Sequence, residues 1–170
     1  MTLFVTKGCP EAVTSLIKYL FSSRMGILEA LSEVNVARKI AVLGRSGSGK
    51  TSLIRCLSNE PVNERHCETI GLQVTSVRGP VVYDATGNEQ GFSMYRFWEA
   101  GSRYGQKFPY MTAEVMKDCV AAIVVFSFSD RESFSDVPLL LDSCEGLPCL
   151  VVGTRASDPA AWAVTAQLRK

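Results

Sequence analysis

At 170 residues, 46% of them hydrophobic, the chain has the length and apolar content for one compact α/β domain and too few residues for two. Eighteen Lys plus Arg against seventeen Asp plus Glu leave a net charge of +1, so no overall field points to nucleic acid or to an acidic membrane surface. No apolar run reaches the roughly 18 residues of a membrane span, and the final Gln167-Leu168-Arg169-Lys170 carries no prenylatable cysteine, so a soluble chain without a lipid anchor is expected.

The six cysteines (Cys9, Cys56, Cys67, Cys119, Cys144, Cys149) form no C-x-x-C pair and read as reduced, cytosolic thiols. His66 beside Cys67 is a poor start for a metal site, because adjacent side chains do not easily turn onto one ion and no second ligand pair follows.

In chain order, Pro10 and Glu11 can open a helix, and Leu16, Ile17, Leu20, Phe21, Ile27, Leu28 and Leu31 recur at helical spacing. Residues 1–37 are therefore expected to be a helical extension, packed on the domain's flank or docked on a partner, ahead of a domain over 38–170. Lys39 to Leu43 is a short apolar strand, and Ser52 to Leu57 places Leu53, Ile54 and Leu57 on one helical face. Between them Gly44-Arg45-Ser46-Gly47-Ser48-Gly49-Lys50-Thr51 fits G-x-x-x-x-G-K-[ST] at every fixed position. In that strand-loop-helix setting backbone N–H groups and the helix N-terminus cradle phosphates, Lys50 reaches the terminal phosphates, and the Thr51 hydroxyl binds Mg²⁺. Ser46, Ser48 and Ser52 complete the candidate nucleotide contacts, though the motif alone names neither the base nor the reaction.

Farther along, Leu72 to Val77 and the alternating Phe92 to Trp98 predict a hairpin with a long, irregular tip. Val120 to Phe128 is a continuous apolar strand of the kind buried on both faces of a parallel sheet, and Cys149 to Val152 is another. Helical stretches near Thr112 to Asp118 and Glu132 to Ser143 complete a doubly wound sheet.

Two further segments narrow the class. Glu68-Thr69-Ile70-Gly71 resembles the first switch of Rab-like GTPases, with Thr69 in the place of the threonine that grips Mg²⁺ and the γ-phosphate; Phe126 to Phe134 resembles that family's fourth strand and following helix start. Together with His66 to Gln73, Phe97-Trp98-Glu99-Ala100-Gly101 and the N-terminal extension, these residues look like the Rem- and Rab-like GTPases of the ciliogenesis and planar polarity effector complex. The resemblance implies a P-loop NTPase of small-GTPase type: three layers around a doubly wound, mostly parallel sheet, here C-terminally shortened and lacking the last strand and helix. It also implies GTP or GDP with Mg²⁺ as ligands, and a monomer or hetero-complex subunit of a ciliary planar-polarity assembly. Its expected place is the cytoplasm or the ciliary base, serving cilium assembly and protein transport to cilia.

For the second switch, Asp84-Ala85-Thr86-Gly87 fits D-x-x-G literally but leaves Phe92 to Trp98 no place in the fold; Glu99-Ala100-Gly101 stands at the end of a strand, one residue short and with Glu for Asp. Glu99 and Gly101 are favoured, with Asp84 to Gly87 as a turn at the hairpin tip. The metal set then reads Thr51, Thr69 and Glu99. Ser102 stands where the resemblance puts a water-orienting glutamine, and Ser46 adds bulk near the γ-phosphate, so hydrolysis is expected to be slow. Thr154-Arg155-Ala156-Ser157-Asp158 replaces the guanine-reading N-K-x-D, with Arg155 able to lie along the base and Asp158 one place late. The alternatives are a nucleotide-locked or nucleotide-poor scaffold acting through protein contacts, and a phosphotransferase, for which the sequence has no arginine-rich lid.

Overall fold

The computed structural model describes residues 3–5, 37–62, 67–83, 89–102, 107–156, 160 and 162–164. Their elements are β1 (Leu3–Val5), β2 (Ala37–Leu43), α1 (Lys50–Leu57), β3 (Leu72–Tyr83), β4 (Glu89–Ala100), α2 (Pro109–Met116), β5 (Ala121–Ser127), α3 (Arg131–Ser135), α4 (Val137–Asp142) and β6 (Cys149–Thr154). The sheet runs β1-β6-β5-β2-β4-β3, with every neighbouring pair parallel except the β3–β4 hairpin.

Period-two alternation decides what each face of the sheet buries. On β2, Ile40 and Val42 join Leu53, Ile54 and Leu57 of α1, together with Phe97, Ile123 and Val125, in one buried cluster. Ala41 and Leu43 point the other way, toward Val115 of α2 and Cys144. The same opposite face carries Val124, Phe126, Phe128 and Val137, against which Phe134, Leu140 and Trp162 pack. Every residue of β5 is buried, as its unbroken apolar run predicts. The three-layer doubly wound α/β expectation is met.

Some particulars differ from the sequence reading. The stretch read as one helix over Glu132 to Ser143 divides at Asp136 into α3 and α4. Pro138 explains the break, since a proline ring inside a continuous helix clashes with the carbonyl four residues back and has no N–H to donate. The hairpin strands run on to Tyr83 and from Glu89, with register shifts between Arg78 and Val81 and between Val82 and Tyr83, so irregularity lies within the ladder itself, and the tip between the strands lies outside the described residues. The expected N-terminal helix, read over Pro10 to Leu31, lies outside the described residues. Ahead of it Leu3–Val5 is a strand, paired in parallel with β6 through Leu3↔Val151, Phe4↔Val152 and Val5↔Gly153.

Because β2 pairs with β4 on one side and β5 on the other, the chain leaves β2 at the point where the strand order reverses. A crevice opens there beyond the carboxyl ends of the strands, the usual ligand position in open α/β sheets.

Candidate functional site: a phosphate loop with an oxygen-lined corner

The loop after β2 has the backbone a phosphate cradle requires. Gly44 has φ 145°, and a Cβ there would collide with the Val125 carbonyl of β5, so no other residue fits. Gly49 has φ 95° and caps α1 from the left-handed region; its would-be Cβ meets Thr154 at 3.0 Å. Thr154, the last residue of β6, places its hydroxyl 2.6 Å from the Ser48 carbonyl and 3.2 Å from the Phe126 carbonyl. One hydroxyl thus joins the loop to the ends of two strands.

Lys50 is buried to 7% exposure and its ammonium donates to the Gly44 carbonyl at 2.8 Å, the Arg45 carbonyl at 3.0 Å and the Ser102 hydroxyl at 3.2 Å. Burial lowers its pKa, while the charges of Glu99 and Glu68 work to raise it. Ser102 in turn donates to the Gly44 carbonyl at 3.2 Å.

Beside Lys50, three oxygens converge. The Thr51 hydroxyl donates to Glu99 Oε2 at 3.0 Å and lies 3.0 Å from the Thr69 hydroxyl. Glu99 is fully buried, and its Oε1 has no hydrogen-bond partner among the described residues. Burial raises the pKa of this carboxyl, opposed by the Thr51 hydrogen bond and by the charges of Lys50 and Arg55. An oxygen-only donor set with an unsatisfied buried carboxylate oxygen suits a hard divalent cation such as Mg²⁺.

Around this corner lies a cavity of about 540 Å³, lined by Ser46, Gly47, Gly49, Lys50, Thr51, Ser52, Arg55, Cys67, Glu68, Thr69, Ile70, Gln73, Gly101, Ser102 and Arg155. Of the expected site residues, Gly44, Ser48 and Glu99 do not line it: Gly44 and Ser48 support the loop, and the buried Glu99 lies behind the Thr51 hydroxyl that it accepts from. Ser48 is buried, and its hydroxyl has no hydrogen-bond partner among the described residues. The Gly101 N–H is taken by the Gly71 carbonyl at 2.9 Å, which ties the first-switch segment to the end of β4. Arg155 enters with φ 54°, a left-handed conformation unusual outside glycine. Asp158, His66 and Asp84 to Gly87 lie outside the described residues.

A family model described as Ras of Complex, Roc, domain of DAPkinase matches residues 39–156, the span from β2 to the end of the Thr154-Arg155 turn. The chain belongs to the Ras-like GTPases. Among relatives of this Ras-like GTPase, Ciliogenesis and planar polarity effector 2 of Xenopus laevis is 37% identical over 123 residues, which cover 70% of this chain and 49% of the relative. The Homo sapiens protein of the same name is 33% identical over 133 residues, covering 76% and 51%. Ras-related protein Rab-7L1 of Rattus norvegicus is 24% identical over 136 residues, covering 75% and 62%. The chain spans about half the length of the two effector relatives.

Several cavity residues of this Ras-like GTPase were not singled out from the sequence: Arg55, Gln73 and, in its charge on Lys50, Glu68. For Arg55 a signal was available. It stands four residues after Thr51, on the same helical face.

Proposed function

We propose that this chain is a guanine-nucleotide-binding switch that holds GTP or GDP with Mg²⁺ in the cavity around Lys50 and hydrolyses GTP slowly. The observation that carries this reading is the convergence of Thr51, Thr69 and Glu99 beside Lys50. Thr51, Thr69 and Glu99 would hold the cation, which neutralises phosphate charge when bound. Ser46, Gly47, Gly49, Lys50 and Ser52 would face the phosphates, with Arg155 near the base. Thr69 and Gly71 join α1 to the end of β4, so a ligand that moves Thr69 would be felt by the surface formed by Ile70 and Val74, which are 78% and 42% exposed. The test is thermal stabilisation by GTP with Mg²⁺. Wild type should be stabilised and Lys50→Ala should not; equal stabilisation of the two refutes the assignment.

The names of the effector relatives support a part in a ciliogenesis and planar-polarity assembly; a place at the ciliary base and a part in protein transport to cilia belong to the same proposal. Capture of ciliary partners by the full chain from ciliated cells tests this; a diffuse distribution with no such partner counts against it. One observation favours a second reading, a nucleotide-poor scaffold: Thr154 and Arg155 replace the base-reading pair, and Thr154 faces the Ser48 and Phe126 carbonyls. Nucleotide content of the purified protein, measured by chromatography after denaturation, decides between the two.

A further inference from the structure

Helix α1 brings a residue to the nucleotide cavity that the phosphate-loop pattern does not require. Arg55 stands one helical turn beyond Thr51, and side chains four apart share a helix face, so the two line the cavity together. One end of its guanidinium is anchored, because Nη1 donates to the Pro61 carbonyl at 3.3 Å in the loop that follows α1. Its Nε is buried with no hydrogen-bond partner among the described residues, so the group has donor capacity left. Its fixed charge lines the same cavity as Thr51 and Thr69 of the metal corner and the acidic Glu68.

We propose that Arg55 is a built-in counter-charge of the metal corner, a positioning residue that lets the protein keep bound nucleotide when the divalent cation is withdrawn. The inference rests on the nucleotide-binding reading above. A cavity that gathers phosphates beside Glu68 and Glu99 is repulsive without a cation, and a site of this kind ordinarily leaves the neutralisation to the lysine and the metal. A guanidinium does not deprotonate in proteins and cannot be chelated, so it persists when Mg²⁺ is removed. The same charge disfavours a dication beside it and so weakens Mg²⁺ affinity.

The experiment loads the full chain with fluorescently labelled GDP and compares release with and without excess EDTA. Wild type should show an EDTA acceleration below about tenfold. Arg55→Gln, which keeps polarity and part of the stem without charge, should raise that ratio by at least about tenfold, the effect of one unit charge about 12 Å away at an effective dielectric near 20. Arg55→Lys should restore the wild-type ratio. Arg55→Met, which keeps the aliphatic stem, replaces the glutamine variant if that variant does not fold. An unchanged ratio in the neutral variant overturns the inference and leaves nucleotide binding standing. Failure of wild type to bind labelled GDP overturns both.

Discussion

Lys50 uses its three donors on the Gly44 carbonyl, the Arg45 carbonyl and the Ser102 hydroxyl, so an incoming phosphate must take over contacts that the protein now makes with itself. Ser102 is the partner that can yield, since it lies on the segment after β4 and its own hydroxyl donates to the Gly44 carbonyl at 3.2 Å. A side chain that short orients water differently from a glutamine, and phosphoryl transfer in such sites depends almost wholly on positioning and electrostatics. Phosphate release from GTP-loaded protein should be slower than an ordinary small GTPase shows alone, and Ser102→Gln should raise it several-fold; fast wild-type release refutes the reading. Glu99 carries a pH prediction. Its folded pKa is raised above the ordinary 4.5, chiefly by burial. The folded state therefore binds more protons between the two values, so this contribution to stability is complete below about pH 4.5 and is lost as pH rises through the folded pKa. In EDTA, nucleotide-free wild type should lose stability as pH climbs from 4.5 toward neutrality, and Glu99→Gln should flatten that slope. A parallel pair of denaturation profiles would dismiss Glu99 as the cause.

Between residues and fold stand the elements, and β6 reaches the phosphate loop through one side chain. Replacing the Thr154 hydroxyl by a methyl leaves the buried Ser48 carbonyl without its 2.6 Å donor, an unsatisfied group worth roughly 1–3 kcal/mol. Urea unfolding should show Thr154→Val destabilised by about that amount and Thr154→Ser much less. Equal losses would mean that the methyl's packing, and not the hydroxyl, matters. How far such elements can be read from sequence follows from the length of pattern each one carries. The apolar run of β5 and the glycine spacing after β2 are dense signals, and Glu99 could be placed because the alternation of β4 runs on through Trp98. The break at Asp136 was missed because helical periodicity outweighed Pro138. Arg55 was missed because the loop pattern stops at Thr51 and an arginine on an amphipathic helix ordinarily faces solvent. Leu3–Val5 is too short for any period, and only its partner on β6 makes it a strand.

At the scale of the molecule, β1 covers the outer edge of β6, and β6 carries Thr154. Removing Met1 to Val5 should bare the backbone groups of Val151 to Gly153 on that edge, speeding amide exchange there and lowering the thermal midpoint, with the exchange of β5 little changed. Unaltered exchange along β6 would show that the pairing contributes nothing to the sheet. The register Leu3↔Val151 also has a consequence for how the molecule is made. The three residues of β1 are synthesised 148 residues ahead of their partners (151 − 3 = 148) and can find their place only once β6 is there to receive them. Closing so large a loop is costly and slow, so this edge of the sheet forms only after β6 has been made. In the interval β6 is a bare edge of apolar sequence, open to a strand from a neighbouring nascent chain, and the hold of the first few residues on it sets how long that hazard lasts.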